Sequence, residues 1–420
     1  MDISLGTLVL IPAVAVFAPL LVRATGRWAA IPLVVFEIVL GLLLGPAVLG
    51  WIQPSELTEA IGDFGLAMLF FLAGNEIDFR AIRGRPLTRA ALGWLVSLAA
   101  GVAIGLLLSP GAAGVFIGIA LTSTALGTLL PVLRDAGHLR TPFGIAVLAI
   151  GAVGEFGPLL AISLFLSGRN PGVATVVLIA FAVVAGGAIW LAAVGAGRRL
   201  HAVITATLHT SGQFAVRLVV LILVALIALS MVLGLDMLLG AFAAGVIFRL
   251  LLAGAPERDV EAIEGKLEAL GYGLLVPVFF ILTGVTFDLE ALVASPATLA
   301  LLPIFLVLLL VVRGIPATLA APSGATRRDR VAIGLLGATG LPIIVAVTGL
   351  GVDDGALSTG VAAALVGAGM LSVLLFPLIG LAVERRGGAD HSPAVGDARD
   401  GADAPTAAGG APEPHIPTEG

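Results

Sequence analysis

Glu155 is the residue whose type sits least easily with its surroundings: it falls close to the midpoint of the hydrophobic run LAIGAVGEFGPLLAIS. If that run crosses a bilayer, a charge at its centre costs at least ~3 kcal/mol, and such residues are commonly functional. A carboxylate placed there can hold a proton or bind a hard cation. Gly151, Gly154 and Gly157 thin the helix around it, and Pro158 removes a backbone donor just beyond. Small neighbours and a loosened backbone make room for an ion and free carbonyls as further ligands. The structural alternative is a carboxylate paired with an arginine of another helix, but such a pair needs no cavity around it. Arg313, in FLVLLLVVRGIPATL, is the candidate charge partner, able to hold Glu155 and release it when a cation arrives. Its own alternative is a side chain snorkelling to the interface, which is the preferred reading for Arg217. Glu37, in VVFEIVLGLLLGP, reads as a helix-pairing carboxylate ahead of an ion ligand. Asp236 and Asp63 fall near the ends of apolar runs and read as interfacial. Glu37 and Asp236 are therefore secondary candidates.

Other chemistries find little support. There is no cysteine, so disulfides, thiolate metal sites and Cys nucleophiles are excluded. HExxH and GxSxG are absent, and no pair of mid-run aspartates stands ready for acid/base work. His138, His201 and His209 fall in connections, and His391 and His415 near the C-terminus, so no metal site, cofactor or enzymatic activity is expected. No nucleic-acid partner is expected either.

The elements that must position Glu155 follow from composition. Of 420 residues, 59% are hydrophobic and 12% charged, with a mean hydropathy of +1.13. A soluble domain carries about 25% charged residues, so the bilayer must be the solvent for most of this chain. A membrane helix needs about 20 mostly apolar residues. Thirteen windows meet that need: 5–22, 28–48, 58–76, 88–108, 112–132, 142–167, 172–196, 212–233, 236–252, 268–287, 297–318, 329–350 and 356–382. The first lacks a basic lead-in and a small-residue cleavage site, and reads as a retained span. Basic residues test the count. Connections after odd-numbered windows carry clusters such as Arg80, Arg83, Arg85 and Arg89, or Arg327, Arg328 and Arg330, whereas the even-numbered ones carry Arg169 alone. That alternation predicts thirteen transmembrane helices in a plasma membrane, with the N-terminus outside and the C-terminus in the cytoplasm. Residues 1–384 form the membrane domain. Residues 385–420, rich in Gly, Ala, Pro and Asp, are expected to be a disordered cytoplasmic tail.

Two windows carry breaking signals at mid-depth. The fifth contains ALTSTALGTLLPVL, with Thr122, Ser123, Thr124, Gly127 and Pro131; the twelfth contains GLLGATGLPIIVAV, with Thr339, Gly340 and Pro342. The two run in opposite directions and stand seven windows apart, as an inverted repeat requires. Paired interrupted spans are the strongest sequence pointer to a secondary-transporter site. Crossing them would bring half-helix ends together with their dipoles partly compensated.

With these features the chain resembles the monovalent cation:proton antiporter superfamily, in its bacterial sodium/proton and potassium/proton exchanger branch. The resemblance spans 5–382 and rests on FEIVLGLLLGPAVLGW, GLAMLFFLAGNEIDF, LTSTALGTLLPVLRD, LGAFAAGVIFR, PVFFILTGVTFDL and GATGLP. It implies an all-α polytopic fold of thirteen helices with inverted repeats and crossed discontinuous fifth and twelfth helices. It further implies an ion-binding carboxylate on the sixth, a basic residue on the eleventh, a mobile core and a homodimer. Where relatives often carry two acidic residues or Asn-Asp, this chain reads Gly154-Glu155; a single carboxylate implies exchange of one proton for one cation. The expected mechanism is competition at Glu155 between a proton and Na⁺ or K⁺, with Thr122, Ser123, Thr124 and opened carbonyls as added ligands. Two alternatives share the architecture: a sodium-coupled organic-anion symporter and a passive cation channel.

Overall fold

The computed structural model describes residues 5–26, 31–77, 79–166, 171–191, 213–252 and 256–389. The expected tail beyond 389 lies outside the described residues, as do His201, His209, His391, His415 and Arg169. The described chain is helical throughout. In order, the helices are α1 (Leu5–Thr25), α2 (Leu33–Leu44), α3 (Glu56–Glu76), α4 (Arg85–Leu108), α5 (Ala112–Ala120), α6 (Leu126–Asp135), α7 (Pro142–Phe165), α8 (Pro171–Leu191), α9 (Phe214–Val232) and α10 (Met237–Leu251). Helix α11 runs from Glu257–Leu270 through a π-turn at Gly271–Leu275 into Val276–Val285. Helix α12 begins as Pro296–Leu308 and continues through a second π-turn at Leu309–Gly314. Then follow α13 (Arg327–Gly337), α14 (Pro342–Asp353) and α15 (Thr359–Ala389).

Each expected window contains helix. Among the described residues, nine helices are long and apolar enough to cross a membrane, and three more, Leu33–Leu44, Gly172–Gly187 and Met237–Leu251, are apolar but shorter. The fifth window is the broken pair α5 and α6. Helix α15 runs to Ala389, so the first residues of the expected tail, from 385, are helical. Starts are set by local chemistry. Ser55 and Thr58 form a capping box at α3, Thr326 and Asp329 one at α13, and Thr141 caps α7 with Pro142 in its first turn. Each arrangement satisfies backbone donors that a helix leaves open.

The packing repeats with a seven-window offset. Helix α3 packs on α10 as α11 packs on α2; α1 meets α2 as α9 meets α10; α4 meets α7 as α12 meets α15. The two strongest equivalents use the same device. A Cβ at Gly74 or Gly245 would run into the Phe242 or Phe71 carbonyl across the α3–α10 seam. A Cβ at Gly41 or Gly284 would run into the Ile281 or Ile38 carbonyl across the α2–α11 seam. Small residues at such seams let backbones approach, which is how membrane helices gain contact without a hydrophobic driving force. The contacts sort the helices into two groups. One holds α1, α2, α3, α9, α10 and α11; the other holds α4 to α7 and α12 to α15.

Candidate functional site

The two interrupted windows cross. Helix α5 ends at Ala120 and α6 begins at Leu126; α13 ends at Gly337 and α14 begins at Pro342. Between these ends the Ala125 N–H donates to the Thr339 carbonyl of the other unwound stretch at 2.8 Å, and the Thr124 N–H to the Gly154 carbonyl of α7 at 3.1 Å. The breaking residues thus exchange helical bonds for bonds across the crossing, which keeps buried backbone satisfied. The Gly340 N–H is met by Ser372 Oγ from α15 at 3.1 Å, a residue the sequence gave no reason to single out.

Glu155, on α7, is buried at 4% exposure. Its Oε1 accepts from the Leu126 N–H at 2.8 Å and the Gly127 N–H at 3.3 Å, the first two donors of α6. The open end of a helix favours a negative charge. Its Oε2 is buried and has no partner. The carboxyl lines a cavity of about 70 Å³ shared with Leu69, Thr128, Tyr272, Phe280, Pro342 and Glu37. A water occupies ~30 Å³ of liquid, so the space suits an ion with a water or two. Both helix groups contribute: Glu155, Gly127, Thr128 and Pro342 from one, Glu37, Leu69, Tyr272 and Phe280 from the other.

Several expected ligands stand elsewhere. Thr122, Ser123 and Thr124 are fully buried, but their hydroxyls donate to the Ile119, Ala120 and Gly337 carbonyls. They are not among the residues lining the cavity; Thr128, one turn on, is. The hydroxyls at the break cover the carbonyls that the break itself opens. Gly127 and Pro342 line the cavity, whereas Thr339 donates back to the Leu335 carbonyl at 3.2 Å. Pro131 falls within α6. Asp236 caps α10, accepting from the Leu238 N–H at 2.8 Å, and lines a separate cavity with Ser163 and Asp354. Glu37, expected to pair helices, instead faces the Glu155 cavity.

Arg313 differs from its expected role as charge partner. Its hydrogen bonds run to Thr124 and the Ile150 carbonyl, and Glu155 is not among its partners. It is fully buried on the second π-turn. Its Nε donates to Thr124 Oγ1 and its Nη2 to the Ile150 carbonyl, both at 2.8 Å. Gly154 makes this possible, since a Cβ there would overlap Thr124 and the guanidinium. Arg313 braces the crossing from behind and leaves the Glu155 carboxyl to the cavity. Arg217 is exposed, in keeping with snorkelling.

Comparison with known proteins identifies the family and the fold. Residues 13–381 match the family model described as sodium/hydrogen exchanger, transmembrane. YjbQ of Bacillus subtilis (strain 168) is 26% identical over 321 residues, 71% of this chain and 50% of that protein. The Na(+)/H(+)-K(+) antiporter GerN of Bacillus cereus is 26% identical over 277 residues, 61% of this chain and 66% of GerN. This chain therefore spans half to two thirds of the length of these relatives. The solved structure of the sodium proton antiporter MjNhaP1 from Methanocaldococcus jannaschii at pH 8 is similar with a TM-score of 0.62 and 18% identity, covering 91% of this chain and 97% of the other. At that identity the likeness concerns the fold, an all-helical membrane protein with crossed discontinuous helices.

Proposed function

The chain belongs to the family of transmembrane sodium/hydrogen exchangers, and from that premise we propose that it exchanges Na⁺ or K⁺ for protons across the membrane, with Glu155 as the group that the two alternately occupy. The observation that carries the reading is the state of the carboxyl. One oxygen is held by the first N–H groups of α6 and the other is buried without a partner, beside a cavity the size of an ion. A carboxylate in a low-dielectric site needs a positive companion, and a proton or a cation each provides one. Two ions that need the same oxygen exclude each other, which couples their movements.

Alternating access is supported by where the cavity lies, between two helix groups that pack chiefly within themselves. Movement of one group against the other would turn the cavity from one face to the other. The size of the cavity favours a bare cation over an organic solute. The name of GerN includes both Na⁺ and K⁺, so both are candidates. The bias of Lys and Arg toward alternate connections supports a plasma-membrane topology with a cytoplasmic C-terminus; a homodimer rests on the family resemblance.

Glu155→Gln keeps the size of the side chain and removes its charge. In proteoliposomes it should abolish proton flux driven by Na⁺ or K⁺, read with a pH-sensitive dye, while the protein still elutes as a folded species. Substantial exchange in that variant would reject Glu155 as the shared site. A proton gradient that responds only when an organic anion is added would favour a symporter.

A further inference from the structure

Of the residues lining the Glu155 cavity, Tyr272 is the most exposed. Tyr272 is 36% exposed, while the other lining side chains are buried or half-buried. It is the only tyrosine in the chain, and it stands on the π-turn Gly271–Leu275 of α11. Such turns recur at functional sites. Its hydroxyl lies 3.8 Å from where a Cβ on Gly127 would be, and the Gly127 N–H is one of the two donors to Glu155. On its other side the same hydroxyl donates to Glu76 Oε1 at 3.1 Å. Tyr272 thus stands between two carboxyls, Glu155 across the cavity and Glu76 at its hydroxyl, each with a buried Oε2 that has no partner among the described residues. Beyond them Asn75 Nδ2 donates to Glu264, which pairs with Arg249.

We propose that Tyr272 is a positioning residue that closes the Glu155 cavity, latched shut by its hydrogen bond to Glu76, and that cations and protons reach Glu155 past its ring. A residue there only to fill space would be served by phenylalanine. The phenol instead brings its donor to a carboxylate, a charge-assisted bond that is stronger than a neutral one. By the distribution of basic residues, the Glu76 end of α3 faces the cytoplasm, which makes Tyr272 the cytoplasmic lid. The transport meaning of this lid rests on Glu155 as the exchange site, but its existence is testable without transport.

The chain has no cysteine, so Thr128→Cys places a single thiol on the cavity wall. In the full chain, reconstituted in liposomes, its reaction with a small cationic methanethiosulfonate reagent reports how often the lid is open. Tyr272→Phe keeps the ring and removes the latch. It should speed labelling about tenfold or more, because breaking one hydrogen bond to a charged group raises the open fraction by that order. Glu76→Leu, which keeps the bulk and removes the acceptor, should speed labelling similarly, and the two together no more than either alone, since both remove one bond. Tyr272→Ala should label faster still. Unchanged rates in both Tyr272 variants would overturn the lid, and additive effects of Tyr272→Phe and Glu76→Leu would overturn the latch. Labelling needs no turnover, so exchange surviving in Glu155→Gln would reject the proposed function and leave this result standing.

Discussion

Arg313 and Glu155 are both charged residues buried in apolar runs, but they meet different surroundings. The Arg313 guanidinium is fully buried; Nε donates to Thr124 and Nη2 to the Ile150 carbonyl rather than to Glu155, while Nη1 has no hydrogen-bond partner among the described residues. Arg313→Ala would leave those acceptors unpaired in a space the side chain had filled. A loss of about 3 kcal/mol or more is expected, since hydrogen bonds to buried charges are costly to break. A lower melting temperature in detergent would report it, and Arg313→Lys should lie between the two. Adding Glu155→Gln should leave the loss from Arg313→Ala unrelieved; if it were relieved, the two side chains would be coupled as an ion pair. Glu155 and Arg313 were legible in the sequence because an ionised side chain in an apolar run is expensive wherever it points. The direction in which each points was not legible. Thr122, Ser123 and Thr124 looked like ligands by type, yet each hydroxyl has a nearby carbonyl to satisfy. Thr128 and Tyr272 gave no sign by type, because nothing in composition tells a cavity wall from a packed one.

At the level of elements, the crossing depends on close backbone approach. The α5–α6 break sits against Gly154, where an added Cβ would overlap Thr124 and Arg313 Nη2. Gly154→Ala is therefore expected to cost about 1–3 kcal/mol through overpacking, and Gly154→Asn or Gly154→Asp more. The measurement is again thermal unfolding, with exchange rate beside it. A stable, active Gly154→Asp would mean that the crossing relaxes to admit the second acidic residue found in relatives. Both breaks were legible because small hydroxyl residues, Gly and Pro cluster at mid-depth in opposite-running windows. The two π-turns were not. Inserting one residue into a helical turn leaves the apolar pattern nearly intact, so 271–275 and 309–314 read as ordinary helix although they orient Tyr272 and Arg313.

Across the whole molecule, the repeat visible in the helix contacts explains why the cavity lies where it does. Equivalent seams, α3 on α10 and α2 on α11, tie one helix group together, and the crossing ties the other. Their boundary passes through Glu155. The alternation of basic connections implies a direction for each window, but not this division, because grouping depends on which glycines face which carbonyls. If transport requires the groups to move, fixing them must stop it. Phe156 on α7 and Phe242 on α10 stack across the boundary with ring centroids 5.3 Å apart. In a chain without native cysteine, Phe156→Cys with Phe242→Cys can be joined by a short reducible bifunctional thiol reagent. Cross-linking should bring cation-driven proton flux in proteoliposomes down to background, and reduction should restore it. A reagent that caps each thiol singly should leave most of the flux. Exchange that continues at full rate in a cross-linked protein would mean that the boundary stays closed through the cycle and that the ion passes without relative movement of α7 and α10.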